Sequence, residues 1–234
     1  MTIRHIYIDS RSRYLGIPAS CQFLLNRTLH NVDVIQVRSF TFANTIYNID
    51  EYNNQLVFVI GIDTKYTITI PPKFYTAHEF VDKLNVVIRD VTGFDTNAVS
   101  LRNNTLLWTI GPTRIQGGSM SDVIGQFFPT MTGTFETPLT LSSPAAIAVT
   151  CKEVQSHAEH ITTSKLHTAY TPLLLSSLTR GYGNLEVYEP QTVYAENFNM
   201  HATDRLSFSI TDPRTGRVLD EITAWSMIIR VHSK

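Results

Sequence analysis

The chain has 234 residues, of which 43% are hydrophobic and only 17% charged, with a formal net charge of −1. No run of lysine or arginine supplies the basic stripe of a protein that wraps nucleic acid through its phosphates, so no specific nucleic acid is expected as a partner. No apolar stretch is long enough to span a membrane. The opening MTIRHIYIDSRSRYLG turns polar too early for a secretion signal. Synthesis in a reducing cytoplasm is therefore expected, with Cys21 and Cys151 as free thiols. The charged fraction lies well below the roughly 25% of an ordinary soluble domain. Either part of the exterior is covered by other subunits, or the surface is rich in serine, threonine and asparagine.

From the N-terminus onward, short strands recur. Residues 1–14 read as an N-terminal arm that carries the spaced arginines Arg11 and Arg13. Cys21, Phe23 and Leu25 alternate with their neighbours. In Val32–Phe42 the apolar phase slips, which predicts a β-bulge or a strand covered on both faces. Leu56–Ile60 is continuously apolar, as a doubly buried strand would be. Tyr66, Ile68 and Ile70 alternate until Pro71 and Pro72 stop the strand.

A helix over about 76–91 follows. Thr76 and Glu79 form a T-x-x-E capping box. Phe80, Val81, Leu84, Val87, Ile88 and Val91 fall on one face, with Asp82, Lys83, Arg89 and Asp90 largely on the other. Such a helix is marginal alone, so its apolar stripe has to lie on something; closing one end of a sandwich is the simplest place. Leu106, Trp108 and Ile110 make another strand. A short helix near 121–128 is capped by Ser119 or Ser121 and ended by Pro129, with Phe127 and Phe128 on its apolar face. The stretch from Gly111 to Thr137 reads as an excursion from the sheet.

Further on, Ile147, Val149 and Cys151 share a face, and Leu173–Leu178 is a short apolar run. Leu206, Phe208 and Ile210, the turn DPRTG, and Trp225, Met227, Ile229 and Val231 read as a hairpin whose last strand lies inside a sheet. No repeat or linker divides the chain. The fold expected is all-β: a sandwich of about eight strands in one domain over 1–234.

Candidate chemistry is thin. Cys151, His157, His160 and His167 lie close in sequence but lack the paired spacing of a zinc site. No G-x-S-x-G elbow or phosphate-binding loop is present. Gly181-Tyr182-Gly183 reads as a turn. Asp50-Glu51 and Asp220-Glu221 are loop acids with nothing to mark a catalytic pair. No enzymatic activity, cofactor, metal or small-molecule substrate is expected.

The order IDSRSR, an F-x-L strand at Phe23–Leu25, Tyr47-Asn48-Ile49, IPPKFYTAHEFVDKLN, TLLWTI with SDVIGQFF, and DRLSFSITDPRTGRVLDEITAWSMIIRV resembles one family over nearly the whole chain. These are the single jelly-roll penton, or minor capsid, proteins of double-stranded DNA viruses in the adenovirus-like lineage, as found in virophages and Polinton/Maverick elements. The resemblance implies an eight-stranded jelly roll that forms homopentamers at the fivefold vertices of an icosahedral virion, beside double jelly-roll major capsid proteins. It implies a helix inserted between two strands of the roll. Arg11, Arg13, Phe127 and Phe128 are the residues expected at subunit contacts. The length leaves little room for a receptor-binding insertion, and no Arg-Gly-Asp occurs. Two other classes remain open: a non-viral jelly-roll binding module of trimeric lectin-like or cytokine-like type, and a metal-dependent β-fold enzyme using His157–His167.

Overall fold

A computed structural model describes the chain except residues 1, 62, 95–96, 110–112, 125–134, 142, 155–171, 190–195 and 201. It opens with strands β1 (Thr2–Asp9), β2 (Leu15–Ile17), β3 (Ser20–Leu29) and β4 (Val32–Ala43). Next come β5 (Gln55–Ile60), β6 (Thr64–Thr69), helix α1 (Ala77–Thr92), β7 (Val99–Arg102), β8 (Thr105–Trp108), β9 (Thr113–Gly117), the short α2 (Ser121–Ile124) and β10 (Phe135–Pro138). The remaining strands are β11 (Ala146–Cys151), β12 (Pro172–Ser177), β13 (Leu185–Tyr188), β14 (Glu196–Met200), β15 (Thr203–Thr211) and β16 (Trp225–Ser233). By their contacts these elements form two compact units, Met1–Ile46 with Pro144–Lys234, and Tyr47–Ser143. No proline- or glycine-rich linker marks either crossing, which is why the sequence alone reads as one domain.

The first unit is a jelly-roll sandwich. One sheet has the order β1-β16-β4-β13, with β14 also on β4; the other has the order β12-β11-β15-β3-β2. Setting aside β2 and β14, eight strands remain. Numbered along the chain, they run first-eighth-third-sixth in one sheet and second-seventh-fourth-fifth in the other. That order, with antiparallel pairing throughout, is the jelly roll. Period-two alternation supplies the core. Leu206, Phe208 and Ile210 on β15 and Trp225, Met227, Ile229 and Val231 on β16 are all buried in one cluster. At its centre the rings of Phe23, Phe40 and Phe208 lie 5.8, 5.8 and 5.9 Å from Trp225.

The phase slip in β4 is a pair of bulges. Opposite β16 the register shifts between Ile228 and Ile229, and again between His232 and Ser233. Each shift leaves one extra β4 residue, so the buried set runs Val32, Ile35, Val37, Phe40 and Phe42 in spite of the slipped spacing.

Two expectations are corrected. Residues 1–14 are not a free arm: β1 pairs with β16 over Thr2–Asp9 without a register shift, and Ser10–Ser12 form a 3-10 turn after it. The pattern hides this because β1 ends its sheet and buries only Ile8. The C-terminal strands are not a hairpin either. β15 pairs with β3 and β11, while β16 lies between β1 and β4 in the other sheet. The DPRTG turn does form, with Gly216 N–H donating to the Asp212 carbonyl at 2.8 Å. Beyond it the chain has length enough to cross to the opposite sheet.

Both cysteines are free and buried. Phe208 pairs with Cys21 on one side and Cys151 on the other, so the cysteines stand two strand spacings apart. That is about 9–10 Å, beyond the roughly 7 Å a disulfide can bridge. Burial pushes the Cys21 thiol up to about 11. Burial, followed by the Glu153 carboxylate, pushes Cys151 up as well. Both are therefore held as unreactive thiols. Titration with a thiol reagent is expected to modify neither in the native protein and both in denaturant. Modification of either under native conditions would refute the packing.

In the second unit, sheets β6-β5-β9 and β10-β8-β7 accompany α1. The helix begins as the capping box predicts: Glu79 N–H donates to Thr76 Oγ1, and Thr76 N–H donates to Glu79 Oε2. It ends at Gly93, in the left-handed region at φ 74°. Phe80, Val81, Leu84 and Ile88 are buried with Leu56, Phe58, Ile68 and Trp108 in a cluster of this unit. The apolar stripe expected to close the sandwich thus builds a core of its own. Two asparagines act as strand partners here. Asn85 bonds the carbonyl and N–H of Val99 at 2.7 and 2.9 Å. Asn48 does the same for Tyr75 at 2.8 and 2.9 Å. Of the short helix expected over 121–128, α2 covers Ser121–Ile124; Phe127 and Phe128 lie outside the described residues.

Candidate assembly surfaces

A jelly roll faces its core inward, so residues in the opposite phase meet solvent or a partner. In the first unit these include large apolar side chains, and they sit at the lateral ends of the sheets. β1 ends one sheet and β2 the other, next to β3; residues 10–14 join them, so both lie on one flank. This flank exposes Ile3, Tyr7, Tyr14, Leu15, Ile17 and Leu24, with Tyr7 at 64% and Leu15 at 65%. β12 and β13 end the two sheets at the other side and are joined by residues 178–184. That flank exposes Leu175, Tyr182, Leu185 and Val187. Apolar residues scattered singly need no explanation, but groups gathered at two sheet ends are candidate contact surfaces.

The turn of the first flank is held by the two arginines singled out from the sequence. Asp9 accepts from Arg11 N–H at 2.9 Å, from Nε at 3.0 and 3.2 Å, and from Nη2 at 2.6 Å. Arg13 donates to the Gly16 carbonyl at 2.7 Å and the Ser10 carbonyl at 2.9 Å. Gly16 has φ 93°, and a Cβ there would lie 2.2 Å from the Ser20 carbonyl oxygen, so this turn requires glycine.

The hydrogen bonds from the Arg11 side chain and main chain lower the Asp9 carboxyl to about 2. A carboxyl depressed from its unfolded value of about 3.9 stabilises the fold fully above that value. The contribution fades as pH falls toward 2. Asp9→Asn is therefore expected to reduce thermal stability at pH 6 and to make no difference near pH 2. An equal loss at both pH values, measured by thermal melts, would show that the charge is not what matters.

The outer face of the sheet containing β3 and β15 is polar at its middle, with a shallow depression of about 320 Å³ beside Ser20, Gln22, Ser207 and Ser209. Gln22 Nε2 donates to Ser207 Oγ at 3.1 Å. The Ser20 and Ser209 hydroxyls lie 3.4 Å apart. Glu153 accepts from both the main-chain N–H and the hydroxyl of Ser207, at 2.6 and 2.7 Å. These bonds clasp β15 to the end of β11 and leave the polar groups engaged with one another. Among the described residues, no group of three or more His, Cys, Asp or Glu is placed to hold a metal ion. His157, His160 and His167 lie outside the described residues.

Sequence reasoning singles out Arg11 and Arg13, which the structure places in intrachain bonds at this turn, and passes over the apolar residues of both flanks. Their signal was present: Leu24 sits between the inward-phase Phe23 and Leu25, and Leu175 follows the buried Leu174.

No protein-family model matches the chain, and no curated protein matches it. Among solved structures, the crystal structure of a selenomethionine-labelled mavirus penton protein is similar over 99% of this chain and 100% of that one. The TM-score is 0.53 and the identity 9%, a likeness of fold.

Proposed function

We propose that this chain is a structural subunit of a viral capsid: a penton protein whose homopentamers close the fivefold vertices of an icosahedral virion, next to double jelly-roll major capsid proteins. The observation that carries this reading is the strand order of a single jelly roll, in a chain similar in fold over 99% of its length to a penton protein. The two unlike apolar flanks support it, because a closed ring needs two different surfaces on each copy. The protein acts by shape, with no reaction, cofactor or small-molecule substrate. Arg11 and Arg13 serve the subunit contact by fixing the turn of one flank. Phe127 and Phe128 are proposed as contact residues on sequence grounds.

Native mass spectrometry of the purified protein tests the ring. The expected species is five copies of the 26.4 kDa chain. A trimer would instead favour the lectin-like or cytokine-like binding module, and stoichiometric zinc or iron in elemental analysis would revive the enzyme.

A further inference from the structure

The two flanks of the sandwich differ in charge as well as in sequence. Arg4, Arg11, Arg13 and Arg27 lie along β1, its turn and β3, against Asp9 alone. Asp9 is already taken by Arg11. The other flank carries Glu186 and Glu189 against Arg180, with Glu186 turned inward to accept from Thr179 N–H and Oγ1. A two-fold contact through the first flank would set its arginines against one another. A contact between unlike flanks sets them against a side where Glu189 and Arg180 balance.

β1 itself is an open edge among the described residues. It runs eight residues in regular register on β16, and it contains no proline, lysine or bulge. Natural edges facing solvent are usually guarded by such features. The one exposed cation on this edge is Arg4, and Ile3 and Tyr7 stand exposed beside it.

We infer that neighbouring copies meet head-to-tail, the β1–β2–β3 flank of one copy seated on the β12–β13 flank of the next. This rests on the ring proposed above and names its interface. Ile3, Tyr7, Leu15 and Ile17 cover Leu175, Leu185 and Val187 across the contact, and Glu189 answers the arginines.

Two double variants test it: Leu15→Lys with Ile17→Lys on one flank, and Leu185→Lys with Val187→Lys on the other. All four side chains are exposed, so each variant should keep the far-ultraviolet circular dichroism of the wild type. Each variant alone should lose at least tenfold of its ring population by native mass spectrometry. An equimolar mixture should give dimers containing one copy of each variant and nothing larger, because each partner keeps one intact flank and the altered flanks repel. A ring that survives either substitution overturns the interface, as does a mixture that yields no mixed dimer. A wild-type chain that stays monomeric sinks the ring itself, and this interface with it. A wild-type ring that tolerates the substitutions sinks only the interface.

Discussion

Trp225→Ala is expected to destabilise the protein by about 3–5 kcal/mol, as truncation of a large buried aromatic side chain does. The indole is 3% exposed and stands among Phe23, Phe40 and Phe208. Its Nε1–H donates to the Pro18 carbonyl at 2.6 Å, so truncation also leaves that carbonyl with only the weak Cys21 thiol donor at 3.3 Å. Neither sheet can close the gap freely. Phe40 is fixed by the bulged register of β4, and Phe208 by pairing on both sides. With a total stability of about 5–15 kcal/mol typical of a domain, such a loss leaves the variant marginal at 37 °C. Urea unfolding followed by far-ultraviolet circular dichroism measures it. A loss under about 1 kcal/mol would contradict the central position given to Trp225, since core truncations of this size cost several times more. Trp225→Phe retains most of the ring contacts and should lose clearly less.

Gly118→Val should be nearly as damaging in the second unit, for a different reason. Gly118 has φ 107°, and a Cβ there would lie 2.3 Å from the Gln55 carbonyl oxygen and 2.9 Å from the Leu56 Cα. These are main-chain atoms of the central strand of β6-β5-β9 and cannot turn aside as a side chain would. The backbone conformation alone costs a β-branched residue on the order of 1–3 kcal/mol, and relieving the overlap adds to that. Thermal melts should fall accordingly, and the emission of Trp108, buried in the same unit, should report the transition. Gly61→Ala is the control. Its φ is 70°, but nothing lies within 4 Å of the added Cβ, so the loss should be the smaller conformational part alone. Equal losses at the two sites would show that close approach is not the cause.

What could be read from the sequence was local. The capping box placed the start of α1 at Thr76, and the final residue differs from the expected one by a single position. The phase slip in Val32–Phe42 announced the bulges, because each extra residue must shift the apolar pattern by one. Trp225, Phe208 and Val149 were assigned inward phases by alternation alone, and all are buried. Alternation does not name the neighbouring strand. β15 and β16, close in sequence and separated by a good turn signal, looked like partners and are not. The jelly-roll order came from resemblance and not from periodicity, since it depends on pairings such as Thr2 with Ser233. The boundaries at Ile46 and Pro144 leave no mark in composition, because each lies where a strand of the sandwich simply ends or begins. The flanks escape alternation, which marks the residues a strand buries and not those it leaves outside.

The pairing of β1 with β16 fixes an order of events during translation. β16 fills the gap between β1 and β4, so β1 has no neighbour among the described strands until β16, far later in the chain, has been made. Tyr47–Ser143, by contrast, is a continuous stretch and holds its own core long before that. A nascent chain therefore carries one finished unit beside an open sandwich. The β1 side of its first flank takes shape only when β16 arrives.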